Sequence, residues 1–148
     1  LFVEVREKRG LAYDIQSGVG HYCDSGTFTI TAGVDSKRLL EAINIILSQI
    51  VDLKGFLSEE ELEKAKKFLT GRLMLSVEDT RSVASFIGSQ MLVFGKVKSV
   101  EGIISQINSV TVEDVLRVSN NIFKKDRLNL AVVGPSRSQG KLEASLTL

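Results

Sequence analysis

Apolar positions along this chain fall first at helical spacing, then in alternation, then back at helical spacing. Leu1, Phe2 and Val5 share one face of a helix whose last turn carries Lys8 and Arg9. Cations suit that end of the helix dipole, and Gly10 is placed to close it in the left-handed conformation. Tyr13, Ile15 and Val19 then recur in step, which predicts a strand over 13–22. Gly18 and Gly20 weaken that strand and mark a bulge or a close approach by another backbone. Asp24-Ser25-Gly26 is a turn. Residues 27–34 alternate cleanly, with Phe28, Ile30, Ala32 and Val34 on one face and Thr27, Thr29 and Thr31 on the other. The two strands read as an antiparallel hairpin.

Asp35 or Ser36 can cap a helix to about residue 53, with Leu39, Ile43, Ile46, Leu47 and Ile50 as its apolar stripe. Lys54-Gly55 ends it. Ser58-Glu59-Glu60-Glu61 has the spacing of a capping box. The helix behind it should bury Leu62, Ala65, Leu69 and Leu73, with Glu60–Lys64 and Glu63–Lys67 as ion pairs on the wet side. A break near 76–80 leads to a helix stopped by Gly95, and a short helix follows over about 100–107. Thr111, with Asp114 three residues on, caps a helix through about 123. Residues 127–133 predict a final strand closed by Gly134-Pro135, and the tail from 136 onward is expected to fray. Helices segregated from antiparallel strands define an α+β class, a sheet covered by helices on one face. The expected domain is 1–135, followed by the tail 136–148.

Composition narrows the chemistry. At 148 residues the chain is one domain by length. Its apolar and charged fractions, 43% and 25%, are ordinary for a globular protein. A formal charge of +1 with interspersed signs excludes the strong positive field of a dedicated nucleic-acid binder. No apolar run approaches the about 20 residues that span a bilayer. A single cysteine permits no internal disulfide, which favours the cytoplasm.

A catalytic zinc site needs about three protein ligands. One histidine and one cysteine, His21 and Cys23, flank Tyr22 beside the turn; two ligands from one strand could seed a site, but a rim histidine is the simpler reading. H-x-x-E-H and G-x-S-x-G are absent, and the glycines at 18, 20 and 33 form no phosphate loop. The carboxylates of 59–63 are explained by capping. No catalytic or metal residue is therefore expected in this chain. Arg6 and Tyr13 remain; by spacing alone, one is a cation near a helix end and the other an ordinary half-buried strand residue.

Phe2-Val3-Glu4-Val5-Arg6-Glu7-Lys8-Arg9-Gly10-Leu11-Ala12-Tyr13 nevertheless resembles the arginine–tyrosine segment in the C-terminal half of pitrilysin/insulinase-type zinc peptidases, the family of the mitochondrial processing peptidase. Further pieces match in order. They are Asp24-Ser25-Gly26-Thr27-Phe28, the helix start Ser58-Glu59-Glu60-Glu61-Leu62-Glu63-Lys64-Ala65-Lys66, the cap Val110-Thr111-Val112-Glu113-Asp114-Val115, and Leu130-Ala131-Val132-Val133-Gly134-Pro135. The resemblance implies an elaborated ferredoxin-like metallohydrolase fold and two related halves around a chamber. The N-terminal half would hold zinc and bind peptide as an added strand. The C-terminal half would close the chamber, with Arg6 and Tyr13 as substrate-binding donors toward the scissile carbonyl.

On this reading the partners are the zinc-bearing half, upstream or as a separate subunit, and a peptide substrate. The parent is a zinc metalloendopeptidase, and this chain alone is expected to be inactive. The alternative is a peptide-binding or structural subunit of the same family without peptidase activity. The family's half starts with a strand and a full helix that this chain lacks, apart from the helix's last turns. That strand is expected between the strands at 27–34 and 127–133. Its loss should expose sheet edges through which the isolated chain self-associates.

Overall fold

The computed structural model, which describes residues 1–22, 24–135 and 139–147, begins with a π-helical turn, Phe2–Glu7, where a regular helix end is predicted. The Lys8 N–H donates to Val3 O at 2.9 Å and the Leu11 N–H to Val5 O at 2.9 Å. These spacings of five and six residues widen the turn beyond α geometry. Val5 is fully buried, whereas Phe2 is exposed, so the predicted Leu1–Phe2–Val5 face is only partly inside. Gly10 has φ 56°, the left-handed closure expected of it.

Strands β1 (Ala12–His21) and β2 (Gly26–Val34) pair antiparallel, as the alternation predicts. Ile15 sits opposite Ala32, Val19 opposite Phe28 and Gly20 opposite Thr27. A Cβ on Gly20 would lie 2.6 Å from Thr27 Oγ1, so Gly20 marks a close approach. The register shift falls elsewhere, between Ala12 and Asp14.

Helix α1 (Leu39–Gly55) covers one face of this hairpin. Val5, Leu11, Ala12, Ile15 and Ala42 form one buried cluster, with Ile30, Ala32 and Val34 packed against it. Ile43, Leu47 and Ile50 form a second, joined by Phe123 and Leu128. Phe123 also meets Phe28 edge-on, ring centroids 5.0 Å apart. The expected caps Asp35 and Ser36 lie just ahead of this helix. Asp35 Oδ1 accepts from the Lys37 N–H at 2.8 Å and closes a turn, and Arg38 takes the cap position.

The chain divides into two compact units, Leu1–Phe56 with Leu116–Leu148, and Leu57–Val115. The second unit holds α2 (Glu59–Ser76), α3 (Thr80–Phe94), α4 (Val100–Asn108) and the start of α5 (Val112–Ile122). The Ser58 capping box is complete, with the Glu61 N–H donating to Ser58 Oγ at 3.2 Å. Thr111 and Asp114 bond reciprocally in the same way. Gly95, at φ 65°, ends α3. Of the four residues expected to be buried on α2, Leu62 is buried and Leu73 half-buried, while Ala65 and Leu69 are exposed. An apolar stripe is buried only where another element faces it, and within this unit α2 packs on α4. Glu63 pairs with Lys66 at 2.8 Å, one residue nearer than expected.

Two expectations fail at the C-terminal end. The strand over 127–133 does not form among the described residues: Lys125–Arg127 is a 3-10 turn and the segment after it joins no ladder. Leu128 has extended dihedrals, φ −82° and ψ 124°, so the backbone permits a strand. A strand is made by a neighbour that shares its N–H and C=O groups, and none is present there. The tail expected to fray contains α6 (Gln139–Ser145), and Leu142 and Leu146 pack on the Ile43–Leu47–Ile50 cluster. The architecture remains α+β, a two-stranded antiparallel sheet with a helix over one face. Among the described residues no helix is long and apolar enough to cross a membrane.

Candidate functional site

Arg6 and Tyr13 stand on either side of the Gly10 turn that joins the π-helical segment to β1. Both are exposed. The cations around Arg6 are engaged differently. Lys8 bonds the Glu4 carboxylate, and Arg9 lies 4.0 Å from it. That hydrogen bond from Lys8 holds the Glu4 carboxyl below its ordinary value. The Arg6 guanidinium instead lies over the Phe2 ring, 4.9 Å from its centroid. Arg6 is thus set apart from its neighbours by its partner.

Tyr13 does not keep step with Ile15. Ala12 pairs with Val34 and Asp14 with Gly33, so β1 carries one extra residue against β2, and that residue is Tyr13. Such a bulge re-aims a side chain. Ala12 and Ile15, three apart, both enter the core, while Tyr13 is 88% exposed. The half-buried strand position suggested by spacing is corrected accordingly. A signal for this was present: apolar residues at 12 and 15 with Asp14 between them fit a strand only if one residue is skipped. The sheet face away from α1 carries Asp14, Gln16, Gly18, Thr27, Thr29, Thr31 and Gly33, polar or without side chain.

Arg38 is a further participant that pattern reading missed. Its Nε and Nη2 donate to the two oxygens of Glu41, at 2.9 and 3.0 Å. Its Nη1 reaches the carbonyls of Arg9 and Gly10, at 3.3 and 3.4 Å. The Arg-x-x-Glu spacing at a helix start was the available clue.

His21 ends β1 at an exposed position, and its suggested companion Cys23 lies outside the described residues. Among the described residues no group of three or more histidine, cysteine, aspartate or glutamate side chains could hold a metal. The donor set among the described residues does not fit a zinc ion.

A helix-backed hairpin with an exposed arginine–tyrosine corner defines a domain of α+β type. Residues 1–69 match the family model described as the peptidase M16 inactive domain. The chain is 37% identical to the uncharacterized zinc protease YmxG of Bacillus subtilis over 137 residues, 92% of this chain and 33% of that protein. It is 34% identical to the uncharacterized zinc protease ML0855 of Mycobacterium leprae over 149 residues, 100% of this chain and 33% of that one. A chain of complex III2 from Candida albicans, with Inz-5 bound, shares the fold at TM-score 0.74 and 18% identity, covering 81% of this chain and 29% of that one. Residues 1–69 thus match the M16 inactive domain, and the chain resembles the C-terminal, non-zinc half of pitrilysin/insulinase-type peptidases. It spans about a third of the length of these curated relatives.

Proposed function

We propose that this chain is the substrate-binding, non-catalytic half of a zinc-dependent metalloendopeptidase, closing the peptide chamber and positioning the scissile carbonyl. The observation that carries the reading is the bulge that turns Tyr13 out of the core to 88% exposure, one short turn from Arg6. The bulge costs a ladder position and, while it lets Ala12 and Ile15 both reach the core, leaves the Tyr13 side chain itself without burial, which is intelligible if the exposed phenol is used. The tyrosine hydroxyl and the arginine guanidinium are both donors. Set against a substrate carbonyl oxygen, they orient it and stabilise the negative charge that develops there. Zinc, which the names of the relatives mention, would be held by the other half. That half is either upstream in the same chain or a separate subunit.

The test uses the full-length protein with its zinc-bearing half. Tyr13→Phe is expected to lower kcat/KM for an unstructured peptide by about tenfold or more with zinc content unchanged. Arg6→Ala should act similarly and more strongly. Loss of zinc in either variant, or unchanged kcat/KM in both, overturns the assigned role. Peptide binding without cleavage by the unaltered protein would identify the non-peptidase member of the family instead.

For the isolated chain, the single two-stranded ladder supports self-association through its outer edges, since each has no further ladder partner among the described residues. Sedimentation of a stable dilute monomer would rule that out.

A further inference from the structure

We infer that Arg38 is the positioning residue of the Arg6–Tyr13 corner, holding the Gly10 turn at the angle the two donors require; the inference rests on the role proposed for those two residues. The corner has two arms. One is the π-helical segment that carries Arg6, and the other is the bulged start of β1 that carries Tyr13. Only Lys8, Arg9, Gly10 and Leu11 separate the two segments. The second arm is anchored from below, because Leu11 and Ala12 are buried in the cluster with Ala42 of α1. The first arm has Val5 buried there and nothing comparable after it, since residues 6–10 are all exposed.

Arg38 supplies the missing constraint at the end of α1. Its Nη1 faces the carbonyls of Arg9 and Gly10, in the turn just past the π-helical segment. Both bonds are long, at 3.3 and 3.4 Å, and each alone is weak. Their value lies in direction. Glu41 grips Nε and Nη2 in a two-point contact that fixes the guanidinium plane, so Nη1 has one place to point. A lysine could follow neither geometry, having one nitrogen for both tasks. The link runs across 28 residues of sequence, from Arg38 to Gly10, and ties the hinge of the corner to the helix that carries the core. Arg38 touches neither donor directly, so its effect would pass through the backbone of 9–12.

The experiment uses the full-length protein and an unstructured quenched-fluorescence peptide. Arg38→Met keeps the aliphatic stem and removes the donors. It is expected to lower kcat/KM by about tenfold, as a misplacement of donors would. Arg38→Lys should fail to restore it, zinc content should be unchanged, and amide exchange should quicken at Gly10 and Leu11. Combined with Tyr13→Phe, Arg38→Met should cost less than it does alone, because the lost phenol cannot be misplaced and only Arg6 is left to be affected.

Full additivity of the two variants overturns the inference, as does full activity of Arg38→Lys or unchanged exchange at Gly10 and Leu11. The outcome in which Tyr13→Phe and Arg6→Ala are both silent is different. It removes the substrate role of the corner and this positioning role with it, while quickened exchange in Arg38→Met would still identify Arg38 as the structural clamp of the turn.

Discussion

Tyr13 and Ile15, two residues apart in one strand, lie in opposite environments: Ile15 is 4% exposed beneath α1 and Tyr13 is 88% exposed. Regular alternation would place them on one face. The extra residue between the Ala12–Val34 and Asp14–Gly33 pairs removes that requirement. Deleting Tyr13 would make those two pairs consecutive and restore a regular ladder. The deletion variant is expected to fold with the same hairpin register, seen as unchanged cross-strand amide contacts by NMR, and to lose peptide affinity. A collapsed or re-registered hairpin would show that the bulge is needed for folding.

The two faces of β1 predict opposite costs of truncation. Ile15→Ala removes buried methyl groups from the cluster around Val5 and Ala42 and should destabilise by about 2–5 kcal/mol. Val19→Ala, at a position 61% exposed, should stay within about 0.5 kcal/mol. Urea denaturation of both variants measures the contrast.

Two helix ends fasten each other. Lys54 Nζ donates to Phe123 O at 2.9 Å, and Asn120 Nδ2 donates to Lys54 O at 3.0 Å. Each satisfies a carbonyl that a helix terminus leaves open. Asn120 also donates to Leu116 O at 2.9 Å. Asn120→Ala should cost about 1 kcal/mol by the same denaturation assay, and amide exchange should quicken near Phe56.

The Arg38–Glu41 contact has a pH signature. Hydrogen bonding and charge from Arg38 hold the Glu41 carboxyl below its ordinary value of 4.5. A depressed acid contributes stability that is present above its unfolded value and is lost as pH falls through the folded one. The clamp should therefore be intact at neutral pH and release only below the usual glutamate range. Carboxyl NMR titration should find Glu41 lowered, and Arg38→Met should return it toward its ordinary value.

The C-terminal helix makes a further prediction. Leu142 and Leu146 pack against the Ile43–Leu47–Ile50 cluster. Leu142→Ala should destabilise by about 1 kcal/mol, because the residue is half-buried rather than enclosed. Unchanged stability would show that α6 rests on the core without supporting it.

Local chemistry was legible where neighbours in sequence are neighbours in space. The Ser58 and Thr111 caps, the left-handed glycines at 10 and 95, the hairpin and the Ile43–Leu47–Ile50 stripe all depend on contacts a few residues apart. Arg6 and Tyr13 were legible as candidates only through family resemblance, because nothing in their spacing distinguishes a donor pair from a surface cation and a strand residue. Tertiary structure decided the rest. The 128–133 segment has strand-like composition but no ladder, since pairing belongs to two segments and not one. The tail became α6 because an apolar cluster elsewhere in the chain gives Leu142 and Leu146 a surface to cover. Tyr13 turned outward because Ala12 and Ile15 both had to reach the core, and Arg38 joined the corner across 28 residues that no local pattern spans.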